Sequence, residues 1–149
     1  MTKFFLFTLA TALLAATPNF SGSWKLNVGA SEFAGLPAPQ SLTMTVDHRD
    51  SKIKVKSNTV MSGKGYDSQY QYATDVSENV NQIAGAAVKS HVRWQGDTLA
   101  IDARTEREGR EYKFHDEWML GSGGKVLVVK RRLDGPNGAI EQRYSYERR

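Results

Sequence analysis

The residues in this chain whose types could do chemistry are polar side chains set into otherwise apolar strand faces. Asp116 stands between Phe114 and Trp118, in a stretch where Tyr112, Phe114 and Trp118 alternate with Lys113, His115 and Glu117. Successive side chains of an extended segment point to opposite faces, so this alternation aims Asp116 the same way as the aromatics. A carboxylate in that position is expensive unless an inward arginine or lysine pairs with it or the interior holds water. Buried and unpaired, its pKa would rise by desolvation toward neutrality, where it could take up and return a proton on a small hydrophobic substrate, as in isomerase-type chemistry. Otherwise Asp116 offers a polar contact to a ligand, serves as a structural hydrogen-bond acceptor, or is turned outward by a bulge. Ser90, between Val88 and Val92, is a second polar residue on an apolar face. His48 continues the face of Leu42, Met44 and Val46, but beside Arg49 and Asp50 it reads as a mouth or surface residue and not as a base.

Aromatic residues share these faces. Tyr66, Tyr70 and Tyr72 form one set, Trp94 follows Val88 and Val92, and Tyr144 and Tyr146 follow Ile140. A tyrosine joins a large apolar body to a hydroxyl that wants a partner, which suits a cavity holding an amphipathic molecule and equally suits a filled core. The candidate ligand contacts are therefore Tyr66, Tyr70, Tyr72, Ser90, Trp94, Tyr112, Phe114, Asp116, Trp118 and Tyr144.

Other chemistries find no support. His48, His91 and His115 are far apart, and no pair has metal-ligand spacing on one strand or helix, so neither a metal nor a cofactor is expected. The absence of cysteine removes disulfides, a thiol nucleophile and a lipidated cysteine. Gly121-Ser122-Gly123-Gly124-Lys125 lacks the spacing of a phosphate loop and has no helix after it, and it reads as a hairpin turn. There is no Gly-x-Ser-x-Gly elbow.

The elements that must position these residues are strands. From Ser41 onward the apolar period is two: Leu42, Met44 and Val46; Ile53 and Val55 against Lys52, Lys54 and Lys56; Leu99, Ile101 and Ala103 against Asp102 and Arg104. Turn residues fall between nearly every pair, at Arg49-Asp50-Ser51, Met61 to Gly65, Asp75 to Asn79, Gln95-Gly96-Asp97, Glu106 to Gly109 and Asp134 to Gly138. Val126 to Val129 is apolar on both faces, and Lys130-Arg131-Arg132 after it reads as a solvated strand end. About ten short strands with no helical period imply an antiparallel meander, and closing it would remove exposed edges.

Asn19-Phe20-Ser21-Gly22-Ser23-Trp24-Lys25-Leu26-Asn27 opens the series, and Trp24, two residues after Gly22, is placed to close one end of a barrel core. With its Gly22-Ser23-Trp24 the chain resembles the lipocalin-like, calycin-type barrels. With Ser31-Glu32-Phe33 and Pro37-Ala38-Pro39 it resembles in particular a group of small exported bacterial proteins that carry no assigned activity. The resemblance implies an all-β, antiparallel up-and-down barrel of about 8–10 strands. The proline-bearing connection Val28 to Gln40 is then a loop whose Phe33 and Leu36 either plug one mouth or pack outside.

Lys3 followed by the apolar and small residues Phe4 to Ala16 has the form of an export signal, and the run is shorter than the roughly 20 residues of a bilayer span. We expect a signal at 1–16, a single domain at 17–149, a periplasmic or extracellular location and no transmembrane anchor. The net charge of +4 is spread along the chain, without the groove-tracking pattern of a nucleic-acid binder. The expected function is non-catalytic binding of a small hydrophobic or amphipathic molecule inside the barrel, and the competing one is a small barrel enzyme using Asp116.

Overall fold

The computed structural model describes residues 16–149, so all of the expected signal except Ala16 lies outside the described residues. Ten strands follow one another: β1 (Gly22–Leu26), β2 (Ser41–Arg49), β3 (Lys52–Met61), β4 (Lys64–Ala73), β5 (Asn79–Ile83), β6 (Ala86–Gln95), β7 (Thr98–Arg107), β8 (Arg110–Gly121), β9 (Val126–Gly135) and β10 (Gly138–Arg148). They form one antiparallel sheet in the order β4-β3-β2-β1-β10-β9-β8-β7-β6-β5. The sheet curls so that its two edge strands, β4 and β5, meet, giving a nearly closed up-and-down barrel.

Short turns drive the meander. Ser62-Gly63, Ala84-Gly85 and Glu108-Gly109 each place two consecutive residues at positive φ. This is the type I′ geometry, whose backbone twist matches the right-handed twist of paired strands. With Pro136-Asn137 between β9 and β10, these turns ring one end of the barrel.

The opposite end is sealed. Phe20 and Trp24 are fully buried there, and the Trp24 indole donates to the carbonyl of Phe20 at 3.0 Å. Phe20 lies nearly parallel to His48 and to Trp94, with ring centroids 5.9 and 5.8 Å away, and meets Trp118 edge-on at 5.7 Å. Aromatic rings favour such offset and edge contacts, which here join four segments distant in sequence. The expectation that Trp24 closes one end is met.

Of the two placements expected for His48, mouth or surface, it takes neither an exposed position nor a free one: it lies at one end of the barrel, buried in this seal. Its Nδ1 accepts from the backbone N–H of Phe20 at 3.2 Å, and its Nε2 lies 3.2 Å from the carbonyl of Asp50, an arrangement that places the ring proton on Nε2. The charged turn beside it reaches solvent, while the incoming N-terminal segment covers the ring.

The connection from β1 to β2 runs back along β10. Asn27 caps a single 3₁₀ turn at Val28–Ala30, and Glu32 and Arg143 exchange backbone hydrogen bonds of 2.7 and 2.9 Å. Phe33 is thereby laid edge-on against Tyr144, centroids 5.7 Å apart, whereas Leu36 is exposed. Of the two placements open from sequence, Phe33 takes the inward one and Leu36 the outward one.

Between β4 and β5 no backbone ladder runs among the described residues. Side chains take its place. Asn79 accepts from the N–H of Ala73 at 2.8 Å and donates to its carbonyl at 3.0 Å, and Asn81 does the same with Gln71, both at 2.8 Å. Each carboxamide thus supplies one donor and one acceptor, as a neighbouring peptide group would.

Candidate functional site

Above the aromatic seal the barrel is hollow. A cavity of about 330 Å³ is walled by apolar and aromatic side chains including Leu42, Met44, Ile101, Phe114, Trp118 and Val129, with Tyr70, Tyr72, Tyr144 and Tyr146 adding phenols. It lies within the volume range of small-molecule pockets, near its lower bound of about 300 Å³. Two concavities of about 410 Å³ on the barrel wall are more open and lined largely by polar and charged residues, so they lack this apolar enclosure.

The cavity wall holds one buried ion pair. Asp116 on β8 and Arg131 on β9 are directly opposed in the sheet, and the guanidinium Nε and Nη2 each donate to one carboxylate oxygen at 2.7 Å. Such two-pronged pairs are the strongest form of this contact. The Arg131 guanidinium carbon also lies 5.3 Å from the Phe114 centroid and 5.8 Å from that of Tyr144, within cation–π range. The Arg131 side chain keeps 34% of its accessible surface and Asp116 only 8%. Arg131 is among the residues that line the cavity. Burial acts most strongly on the arginine and opposes its charge, but the facing Asp116 outweighs it, and the guanidinium is held protonated more firmly than usual.

The tyrosines are neutral donors. Burial pushes Tyr70 up to about 12 despite the opposing charge of Arg131, and burial likewise raises Tyr72 and Tyr146 well above the ordinary phenol range. Tyr144, raised for the same reason, donates to the side-chain oxygen of Gln142 at 3.0 Å. Two buried polar atoms have no hydrogen-bond partner among the described residues: the Ser90 hydroxyl and the Trp118 indole nitrogen.

The residues named from sequence divide by depth. Tyr70, Tyr72, Phe114, Asp116, Trp118 and Tyr144 line the cavity together. Tyr66 is 55% exposed near the open end, Tyr112 packs over Gly135, Trp94 belongs to the aromatic seal, and Ser90 is buried in the wall without lining the cavity. Sequence reasoning missed Arg131. Its basic neighbours Lys130 and Arg132 face outward, as a solvated run would, but the strict alternation of β9 turns Arg131 inward. The signal that would have found it is the carboxylate on Asp116, which required an inward cation somewhere.

Among the described residues no group of three or more histidine, aspartate or glutamate side chains is gathered to hold a metal, and no helix is long and apolar enough to cross a membrane. No family model matches the chain. Its fold does match solved structures over most of their length. A secretory abundant heat soluble protein from Ramazzottius varieornatus aligns at TM-score 0.63 and 16% identity, over 89% of this chain and 98% of that one. The zebrafish ileal bile acid-binding protein complexed with cholic acid aligns at TM-score 0.61 and 14% identity, over 87% and 98%. A point mutant of the fluorescent protein UnaG aligns at TM-score 0.59 and 21% identity, over 87% and 96%. Ten antiparallel strands in meander order around a hollow interior, together with these likenesses, give the chain the fold of the calycin-type β-barrels.

Proposed function

We propose that this chain is an exported, non-catalytic binding protein that holds a small hydrophobic or amphipathic molecule in the barrel interior. The observation that carries the reading is the cavity of about 330 Å³, left open where Trp24, Trp94, Trp118 and the tyrosines could have filled the core. Its wall is mostly apolar, with one charge pair and several phenols, which is the composition of sites that bury a ligand and orient it by a few polar contacts. The bile acid-binding protein among the structural neighbours supports the reading by analogy of fold. Export is supported by Lys3 and the Phe4 to Ala16 run.

The enzymatic alternative draws on Asp116 as a free base, and the geometry does not favour it. Both carboxylate oxygens are engaged by Arg131, so the unpaired, desolvated acid that proton transfer needs is not present. Native mass spectrometry of the protein purified from its own host tests the binding reading. A co-purifying small molecule, displaced by denaturation, is the expected result. A clean apo mass, together with no quenching of tryptophan emission by a panel of hydrophobic probes, would overturn it.

A further inference from the structure

We infer that the cavity selects ligands with an uncharged hydrogen-bond-accepting head, a carbonyl or ether oxygen, and discriminates against carboxylates; this rests on the binding reading above. The basis is the charge balance around Arg131. A buried arginine alone would be a natural anchor for an acidic ligand, but Asp116 already neutralises it through two hydrogen bonds of 2.7 Å. The two charges sum to zero inside the barrel. A carboxylate placed against Arg131 would lose its hydration and meet no free positive charge there in return, while lying close to the Asp116 carboxylate.

Hydrogen-bonding capacity remains even though the charge is spent. Nε and one hydrogen of Nη2 are committed to Asp116, leaving the Nη1 hydrogens and the second Nη2 hydrogen of a five-donor group. Arg131 lines the cavity, with its side chain 34% exposed, and Phe114 and Tyr144 flank the guanidinium. Tyr70 and Tyr72, on β4 across the barrel, supply protonated phenols to the same cavity. The site therefore offers donors to a neutral acceptor with apolar surface around it. Arg107 also lines the cavity, but it is an exposed residue, where water screens its charge.

The test compares three probes of matched chain, 2-decanone, decanoate and decane, by competition against a fluorescent hydrophobic dye on the purified full chain at pH 7.5. The expected order is 2-decanone tightest, with decanoate at least tenfold weaker. In Asp116→Asn, which frees the charge of Arg131, decanoate should gain at least tenfold over 2-decanone relative to the parent. In Arg131→Met the advantage of 2-decanone over decane should shrink. Should Asp116→Asn fail to fold, the parent protein alone still decides: decanoate binding as tightly as 2-decanone overturns the inference while leaving the binding reading intact. If dye and all three probes fail to bind, the binding reading itself falls.

Discussion

Arg148 lies across Trp24, its guanidinium carbon 4.3 Å from the indole centroid, and Gly22 is what makes room for it. A Cβ at Gly22, whose φ is +146°, would collide with the Arg148 guanidinium. From there Arg148 donates to the carbonyls of Ser21 at 2.7 Å and Gly124 at 2.9 Å, tying the last strand to the first and to the turn before β9. The spacing of Gly22 and Trp24 is thus a device for seating a cation on an aromatic face. Gly22→Ala should destabilise by about 2 kcal/mol, combining backbone strain with displacement of the cation. Arg148→Ala, which loses the contacts without the strain, should cost about 1 kcal/mol. Urea unfolding of both variants checks the order; equal stability of Gly22→Ala and the parent would refute the role given to Gly22.

The pair in the cavity wall should behave asymmetrically. Asp116→Ala leaves a largely enclosed guanidinium without its partner and is expected to cost about 3 kcal/mol, at the lower end for broken buried pairs because Arg131 borders a cavity. Replacing both, Asp116→Leu with Arg131→Met, should recover most of that loss. Denaturant midpoints of the three proteins measure the difference. A double variant as unstable as Asp116→Ala would show that the pair itself, and not the orphaned charge, sets the cost.

Two histidines should tilt the pH dependence of stability in opposite directions. Burial, opposed by the Asp50 carbonyl and carboxylate, lowers the pKa of His48. The unfolded state then binds the proton more readily, so stability is present above the unfolded value of about 6.5 and is lost as pH falls through the folded value. Protonated Nδ1 could no longer accept from the Phe20 N–H. His115 is raised, chiefly by its 2.6 Å hydrogen bond to Asp102, so its contribution is present below the unfolded value and fades as pH climbs through the folded one. His115 and Asp102 are both substantially exposed, which makes that contribution the smaller. Unfolding free energies from pH 7.5 to 5 should therefore fall in the parent, fall more steeply in His115→Asn and flatten in His48→Asn. A parent whose stability rises over that interval would contradict the ordering.

The side-chain closure between β4 and β5 predicts a local weakness. Asn79→Ala should cost about 2 kcal/mol and the more exposed Asn81→Ala about 1 kcal/mol, since each releases a backbone N–H and a carbonyl. Hydrogen exchange should quicken at the amides of Ala73 and Gln71 in the respective variants. Unchanged exchange at both would mean that the two asparagines do not hold the seam.

How much of this was readable beforehand follows from what alternation encodes. Period two gives the direction of a side chain relative to the sheet, so the inward aim of Asp116 and the division of β3 into lysines and aliphatics were legible. It carries no depth. Tyr66 and Tyr70 share a phase, but one reaches the open end and the other the cavity, because strands of ten residues run the height of the barrel. Phase is also lost where both faces are apolar, as at Val126 to Val129, and with it went the orientation of Arg131. That His48 stands at an end of the barrel is legible in its place beside the Arg49-Asp50 turn, but its burial is not, because Phe20, which covers it, lies 28 residues earlier in the chain.

The two-residue turns at Ser62-Gly63, Ala84-Gly85, Glu108-Gly109 and Pro136-Asn137 make a low rim. The single long segment at that end is fastened to β10 through Glu32 and Arg143. No hinged flap of the kind that sequesters a substrate is therefore available among the described residues. For a guest held as proposed above, traffic through the mouth would be a matter of slipping past a fixed edge: residence time should follow affinity closely, without a separate opening step to slow arrival and departure alike.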